Sequence, residues 1–574
     1  MPNKPTTFSF ENSIPPSSWQ AHNGGSLHLS ARHRRDGEQS LAWTWENCSA
    51  LDCREMPFAL RGRMPGGRYD PEGAGWYAMC AAFGFLAMAS EKHRQSVGAI
   101  FSRLWAPSLP AHDTALRLNL FNHFPCKETV GRRLLLDEFA ERAPAPVEPS
   151  PSFKVKPWAG LALARGANFL AAIKGYGQYV WNFECHPKSW SPNEENVYAR
   201  FVSNGHLQIL ADVGADSPTT LGYNLAEGWD WARWPGATNK RLTLEEIYSP
   251  TETWQTRWLS DETFVGGAAI GGDNGVFAVK LHDTCHDPSF RAVKSYFVFG
   301  NAIVCLGSGI DCADPEHSIE TTLFQAYLPT LERPVQVNGE VVTELPFEQR
   351  FNGDKPCTLL DPYGNGYVLT AGQHANLARQ HQQSRTHNNQ GPTEGAYAVA
   401  WIDHGSAPRD AGYEYAVLPQ TTSERLRQFV EQPPYRVLQR DATAHMVEHP
   451  ERGTIAAAVF AVETELAQGP VIRTDTPVTF AAQTVGDRMQ LAVAVPDVGL
   501  PRRQNFGFLT GEDVHVRTRP VTVTLLLRGR WATADESGSA HAAKYCDTMT
   551  ALTITCQNGI ESTVTLISIV KREA

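Results

Sequence analysis

Val521-Thr522-Val523-Thr524-Leu525-Leu526-Leu527 is a short run of β-branched and aliphatic residues closed by Arg528-Gly529, and it reads as a β-strand. Working outward, Tyr413-Glu414-Tyr415-Ala416-Val417-Leu418 and Gly205-His206-Leu207-Gln208-Ile209-Leu210 carry the same signal. Turn residues such as Asn338-Gly339 and Gly364-Asn365-Gly366 punctuate the interval. Many strands separated by turns, from about residue 155 to the end, imply large antiparallel sandwiches. Gln432-Pro433-Pro434 marks a break, so a final sandwich is expected over 433–574 and a larger one over 154–432.

The first part of the chain reads differently. Ser26-Leu27-His28-Leu29-Ser30 and Ser40-Leu41-Ala42-Trp43-Thr44-Trp45 alternate around the turn signal Arg34-Arg35-Asp36-Gly37, which predicts a β-hairpin within 1–50. Trp76, Met79, Cys80, Phe83, Leu86 and Ala87 fall at helical spacing, so 51–142 is expected to be helical. Residues 143–153, which include Ala143-Pro144-Ala145-Pro146-Val147, read as an extended linker.

The 574 residues exceed what one core organises, and 42% hydrophobic with 20% charged residues is ordinary for a globular protein. No apolar run reaches the roughly 18 residues of a membrane span, and the N-terminus shows no signal peptide. A net charge of −10 argues against nucleic-acid or membrane partners, and a monomer is expected. The 11 cysteines include no CxxC pair, so buried free thiols are the plain reading.

Motifs for other chemistries fail on context. His445-Met446-Val447-Glu448-His449 matches an inverted zincin pattern, but that pattern needs a helix, and Pro450 with flanking strands denies it one. His282-Asp283-Thr284-Cys285-His286-Asp287 reads as a polar loop, and Arg32 to Arg35 as a solvated turn. No metal site is predicted and no cofactor is called for, with a divalent cation left open.

Five further segments, in order, are distinctive: Glu227-Gly228-Trp229-Asp230-Trp231-Ala232-Arg233-Trp234-Pro235-Gly236, Glu320-Thr321-Thr322-Leu323-Phe324-Gln325, Arg379-Gln380-His381-Gln382, Pro392-Thr393-Glu394-Gly395 and Ala400-Trp401-Ile402-Asp403-His404. This series resembles the central supersandwich of polysaccharide lyase family 8, of the chondroitin ABC lyase type. Leu527-Arg528-Gly529-Arg530-Trp531 lies in a region similar to that family's C-terminal sandwich. Residues 1–50 resemble a remnant of its jelly roll, and 51–142 a remnant of its α/α toroid.

The resemblance implies a mainly β fold, an acidic polysaccharide partner, an extracellular or periplasmic location, and cleavage by β-elimination beside a uronic acid. A base removes the C5 proton, and the carboxylate charge must be neutralised as the carbanion forms. Arg165, in Leu163-Ala164-Arg165, matches the family's catalytic Arg. Its guanidinium suits a uronate carboxylate, although a structural salt bridge is the competing role. Arg63, Trp231, Arg233 and Trp234 are candidate substrate-binding residues, and the Trp231–Trp234 motif could equally lock a turn between strands. Structural roles are expected for His381 and Glu394. The family's Glu falls at Gly271, beside Asp273, and the His and Tyr of its toroid have no counterpart in this sequence. Tyr69, Tyr77, Tyr176 and Tyr179 are the phenols near the expected cleft, and acting as a base would require a nearby cation such as Arg165. Three readings follow: an active glycosaminoglycan lyase, a non-catalytic acidic-glycan-binding protein, or a degenerate remnant.

Overall fold

The computed structural model describes residues 150–183, 196–211, 222–249, 259–462, 464–500, 518–534, 541–546 and 548–569, with the backbone of four short strands nearer the N-terminus. The chain divides into two compact units. In the first, Ser26–Ser30 pairs antiparallel with Ser40–Thr44, Leu27 opposite Trp43, which is the expected hairpin. Trp19–Ala21 pairs likewise with Leu51–Cys53. The expected helices of 51–142, with Arg63, Tyr69 and Tyr77, and the basic turn Arg32–Arg35, lie outside the described residues.

The second unit, which holds Glu148–Phe506 and Thr518–Ala574, is built from stacked antiparallel sheets. At its centre is a nine-stranded sheet that runs from Val265–Ile270 through Asn274–Asp283, Asp287–Phe299 and Ala302–Asp311 to Ala411–Leu418 and beyond. It is covered on both faces. Phe277, Val279, Tyr296 and Val298 face one core, and Val276, Ala278, Phe297 and Phe299 face another. This is why Val276 to Val279 and Tyr296 to Phe299 read as unbroken apolar runs and do not alternate.

One face packs on a five-stranded sheet containing Ser318–Tyr327, Ala375–Arg385 and Pro392–Ser406, and on a four-stranded sheet of Ser152–Lys156, Leu161–Arg165, Phe169–Lys174 and His206–Ala211. The other face meets a seven-stranded sheet of the C-terminal sandwich, whose contact side is rich in alanine: Ala456, Ala458, Ala481, Ala492 and Ala494. Such short side chains allow two sheets to approach closely with few voids. The seven-stranded sheet turns its other side, including Met446, Phe480 and Leu491, onto a four-stranded sheet with Val523, Leu525 and Leu527. The chain is therefore mainly β, as expected. The short helix Ser423–Glu431, capped by Thr422, precedes the first C-terminal strand, Arg436–Arg440.

Candidate functional site

Arg165 ends the strand Leu161–Arg165, where it is register-paired with Ser152 on one side and Leu170 on the other. The next residue along from Ser152, Phe153, donates its amide to the Gly272 carbonyl at 2.8 Å. Two backbone pairings thus join the strand end carrying Arg165 to the turn Gly271–Asp273, which is where the family's Glu belongs. Arg165 is half-buried and makes no ion pair or side-chain hydrogen bond among the described residues. An Arg in that state keeps all its donors for a ligand.

The turn offers no catalytic carboxylate. Gly271 and Gly272 sit at φ 59° and 84°, the left-handed region that favours glycine. Asp273 is taken up by Arg452 of the C-terminal sandwich, whose Nη1 reaches its two carboxylate oxygens at 3.1 and 3.2 Å and Asn274 Oδ1 at 3.0 Å. Arg452 neutralises the charge and pins the turn against the second sandwich.

The tyrosines do not serve as bases here. Tyr176 is buried, and burial beside the Asp283 carboxylate drives its phenol far above the ordinary range. Tyr179 donates to Asp497 Oδ1 at 2.8 Å, and burial together with that bond raises its phenol too. Both effects oppose deprotonation at neutral pH. Lys174, at the other end of the strand after Arg165, precedes Tyr176 by two residues and pairs with Leu161, so Arg165 and Tyr176 lie at opposite ends of the sheet.

Trp231, Arg233 and Trp234, expected to line a sugar cleft, are core residues instead. Trp231 and Trp234 are 0% and 1% exposed and pack with Trp229 and Tyr397. Trp231 Nε1 donates to the Arg385 carbonyl at 2.9 Å. Arg233 is held by Glu320 and stacks over the Trp401 ring, its guanidinium carbon 3.6 Å from the centroid. Polar side chains of the five-stranded sheet pin the loop. Gln382 Nε2 donates to Gly228 O at 3.0 Å, Gln325 Nε2 to Arg233 O at 2.8 Å, and Tyr397 OH to Glu227 O at 2.6 Å. Gly228, at φ 69°, lies so close that a Cβ would fall 2.4 Å from Gly395 N. The motif locks the loop onto the sheet, and its rings have no free face for sugar. His381 and Glu394, expected to be structural, are exposed on their strands.

The polar loop after His282 is ordered by its own carboxylate: Asp283 Oδ1 accepts the amides of Cys285 and His286 at 3.1 and 2.9 Å. His445 and His449 lie on the strand Ala444–His449, not on a helix, and His445 is engaged by Ser295 and Ser308. Among the described residues, no group of three His, Cys, Asp or Glu is gathered to hold a metal ion, and no helix is long and apolar enough to cross a membrane.

One feature escapes sequence reasoning. A cleft of about 270 Å³ opens beside the Asp283 loop, with Tyr176, Asn182, Arg200, Phe201 and Asn204 in its wall. Scattered Asn and Arg residues in 182–204 carry no motif, so only the fold brings them together.

Chondroitin sulfate ABC endolyase of Proteus vulgaris is 30% identical over 409 residues, covering 69% of this chain and 37% of that protein. Chondroitin sulfate ABC exolyase of Proteus vulgaris is 33% identical over 359 residues, covering 60% of this chain and 34% of that protein. The chain thus spans little more than a third of the length of these relatives. Among solved structures, Paenibacillus xanthan lyase shares the fold with TM-score 0.66 at 16% identity, covering 88% of this chain and 45% of that one. Streptomyces coelicolor A3 chondroitin AC lyase shares it with TM-score 0.63 at 19% identity, covering 87% and 59%. The super-sandwich domain of polysaccharide lyase family 8 matches residues 160–430 and the family's C-terminal β-sandwich domain matches 436–498, together more than half of the sequence, so this chain belongs to polysaccharide lyase family 8.

Proposed function

We propose that the chain acts on acidic glycosaminoglycans, of the chondroitin sulfate, dermatan sulfate or hyaluronan class, by β-elimination beside a uronic acid. The observation that carries this reading is the Arg165 guanidinium, without an ion pair among the described residues, at the strand end joined to the Gly271–Asp273 turn. The names of the relatives, chondroitin sulfate lyases, support the substrate class.

In this reaction the C5 proton leaves, its electron pair forms the C4–C5 double bond, the C4–O bond breaks, and the leaving oxygen takes a proton. Charge builds on the uronate carboxylate as the proton departs. Arg165 would meet it with two parallel N–H donors, a two-point contact that also orients the ring. Gly271 supplies no carboxylate, and Asp273 is neutralised by Arg452, so neither moves the proton. Tyr176 and Tyr179, both with raised phenol pKa, do not either. An extracellular or periplasmic site of action fits polymers too large to cross a membrane.

The test is ultraviolet absorbance of the conjugated unsaturated uronate while the protein meets each polymer. A rise that Arg165→Ala abolishes supports the reading. A flat trace from folded protein on all three polymers overturns it.

A further inference from the structure

The cleft beside the Asp283 loop is set apart by its unused hydrogen-bonding atoms. Asn182, Arg200 and Asn204 are 4%, 6% and 3% exposed, and Asn182 Oδ1, Arg200 Nε and Asn204 Oδ1 have no partner. The amide orientations are not arbitrary. Asn182 Nδ2 donates to Arg200 O at 2.7 Å and Asn204 Nδ2 to Thr238 O at 3.4 Å, so in each case the oxygen is the free end. Buried polar atoms left bare cost about 1–3 kcal/mol each, and three in one wall mark a place built for something polar.

The free set is two acceptors and one donor. A group that both donates and accepts complements it, and neighbouring hydroxyls on one ring do so. The charge balance selects further. Arg200 Nη2 is already paired with Asp283 Oδ2 at 3.0 Å, so the wall's cation is spent and an anion gains little. Tyr176 and Phe201 supply aromatic surface for the CH side of a ring. The wall is rigid as well: Lys294, fully buried, donates to Asn204 O at 2.9 Å and to Gly236 O. A volume of about 270 Å³ is many times the roughly 30 Å³ share of one water.

We propose that this cleft is a binding site for one uncharged pyranose, a hexose or N-acetylhexosamine, held through its hydroxyls by Asn182, Asn204 and Arg200. The site does not depend on the lyase reading. It lies at the Lys174 end of the sheet, about 13 Å or more from Arg165 by strand rise alone. The ring could arrive as a free sugar or as a neutral unit within a polymer.

Cys285 provides the reporter, because its exposed thiol lies in the same wall. The full chain would be alkylated with iodoacetamide while N-acetylgalactosamine, N-acetylglucosamine, galactose or glucuronate is titrated, with modification of Cys285 read by peptide mass spectrometry. A neutral sugar should slow alkylation saturably, glucuronate at the same concentrations should not, and Asn204→Leu should weaken protection about tenfold. Asn182→Ala is the second variant, and retained circular dichroism and melting temperature verify folding of both. An oligosaccharide that protects when the free sugars do not would identify the polymer as the source and still support the site. No protection by any sugar, equal protection by glucuronate, or protection unchanged in both folded variants would overturn the proposal and leave the cleft to water. Cleavage assays do not enter, so failure here is separate from failure of the lyase reading.

Discussion

Arg233 and Glu320, 87 residues apart in sequence, form a two-point ion pair, Nε to Oε2 at 2.8 Å and Nη2 to Oε1 at 3.0 Å. Both side chains are 7% exposed. The pair ties the tryptophan loop to the strand Ser318–Tyr327, and its value lies in being complete.

Removing one member leaves a buried charge alone. Arg233→Met should destabilise the unit by about 3–5 kcal/mol, with Arg233→Lys a poor substitute because lysine lacks the planar fork. Arg233→Met with Glu320→Leu should recover much of the loss. Chemical denaturation of the three variants checks this, and an Arg233→Met protein as stable as wild type refutes the clamp.

Arg165 should behave in the opposite way. With no ion pair among the described residues to lose, Arg165→Ala should leave stability within about 0.5 kcal/mol of wild type while abolishing cleavage of glycosaminoglycans. Denaturation and the absorbance assay, run on the same sample, separate the two effects. A large loss of stability would assign Arg165 to structure.

Restoring the family's Glu at Gly271 should not be neutral. A Cβ there would lie 2.7 Å from Gln483 Oε1, at a backbone φ of 59°. Gly271→Glu should therefore cost about 1–2 kcal/mol, and Gly271→Asn less, since Asn tolerates the left-handed region. Gln483→Ala should relieve the steric part and leave the backbone part. Melting curves of the four proteins test the ordering.

Acid should find the buried histidines. His445 lies between Ser295 Oγ at 2.7 Å and Ser308 Oγ at 2.9 Å, and burial lowers its pKa to about 3. Burial, with Lys294 nearby, takes His206 to about 3 as well. The folded pKa lies below the unfolded one, near 6.5, so the unfolded chain takes the proton first as pH falls. The stability from each neutral imidazole is full above pH ~6.5 and drains between ~6.5 and ~3, at up to about 1.4 kcal/mol per pH unit. Denaturation at pH 7 and pH 5 should show a smaller acid loss in His445→Gln than in wild type. An identical loss would refute the linkage.

Much was legible in the sequence because it depends on near neighbours. Strand signals such as Val521–Leu527 and Tyr413–Leu418 report burial on a pleated sheet, and the strands fall there. The order of motifs from Glu227 to His404 carried the family, and the position of Arg165 came with it. What only the tertiary structure decided depends on partners far along the chain. Trp231, Arg233 and Trp234 look the same in sequence whether they line a cleft or fill a core, and Glu320 and Trp401 settle the matter. Asp273 reads as a free carboxylate until Arg452, 179 residues later, neutralises it. Asn182, Arg200 and Asn204 form a wall because adjoining loops fold against Lys294 and the Asp283 loop. Local pattern records which face of a strand is buried, whereas charge pairing and cavities arise from the three-dimensional meeting of distant segments.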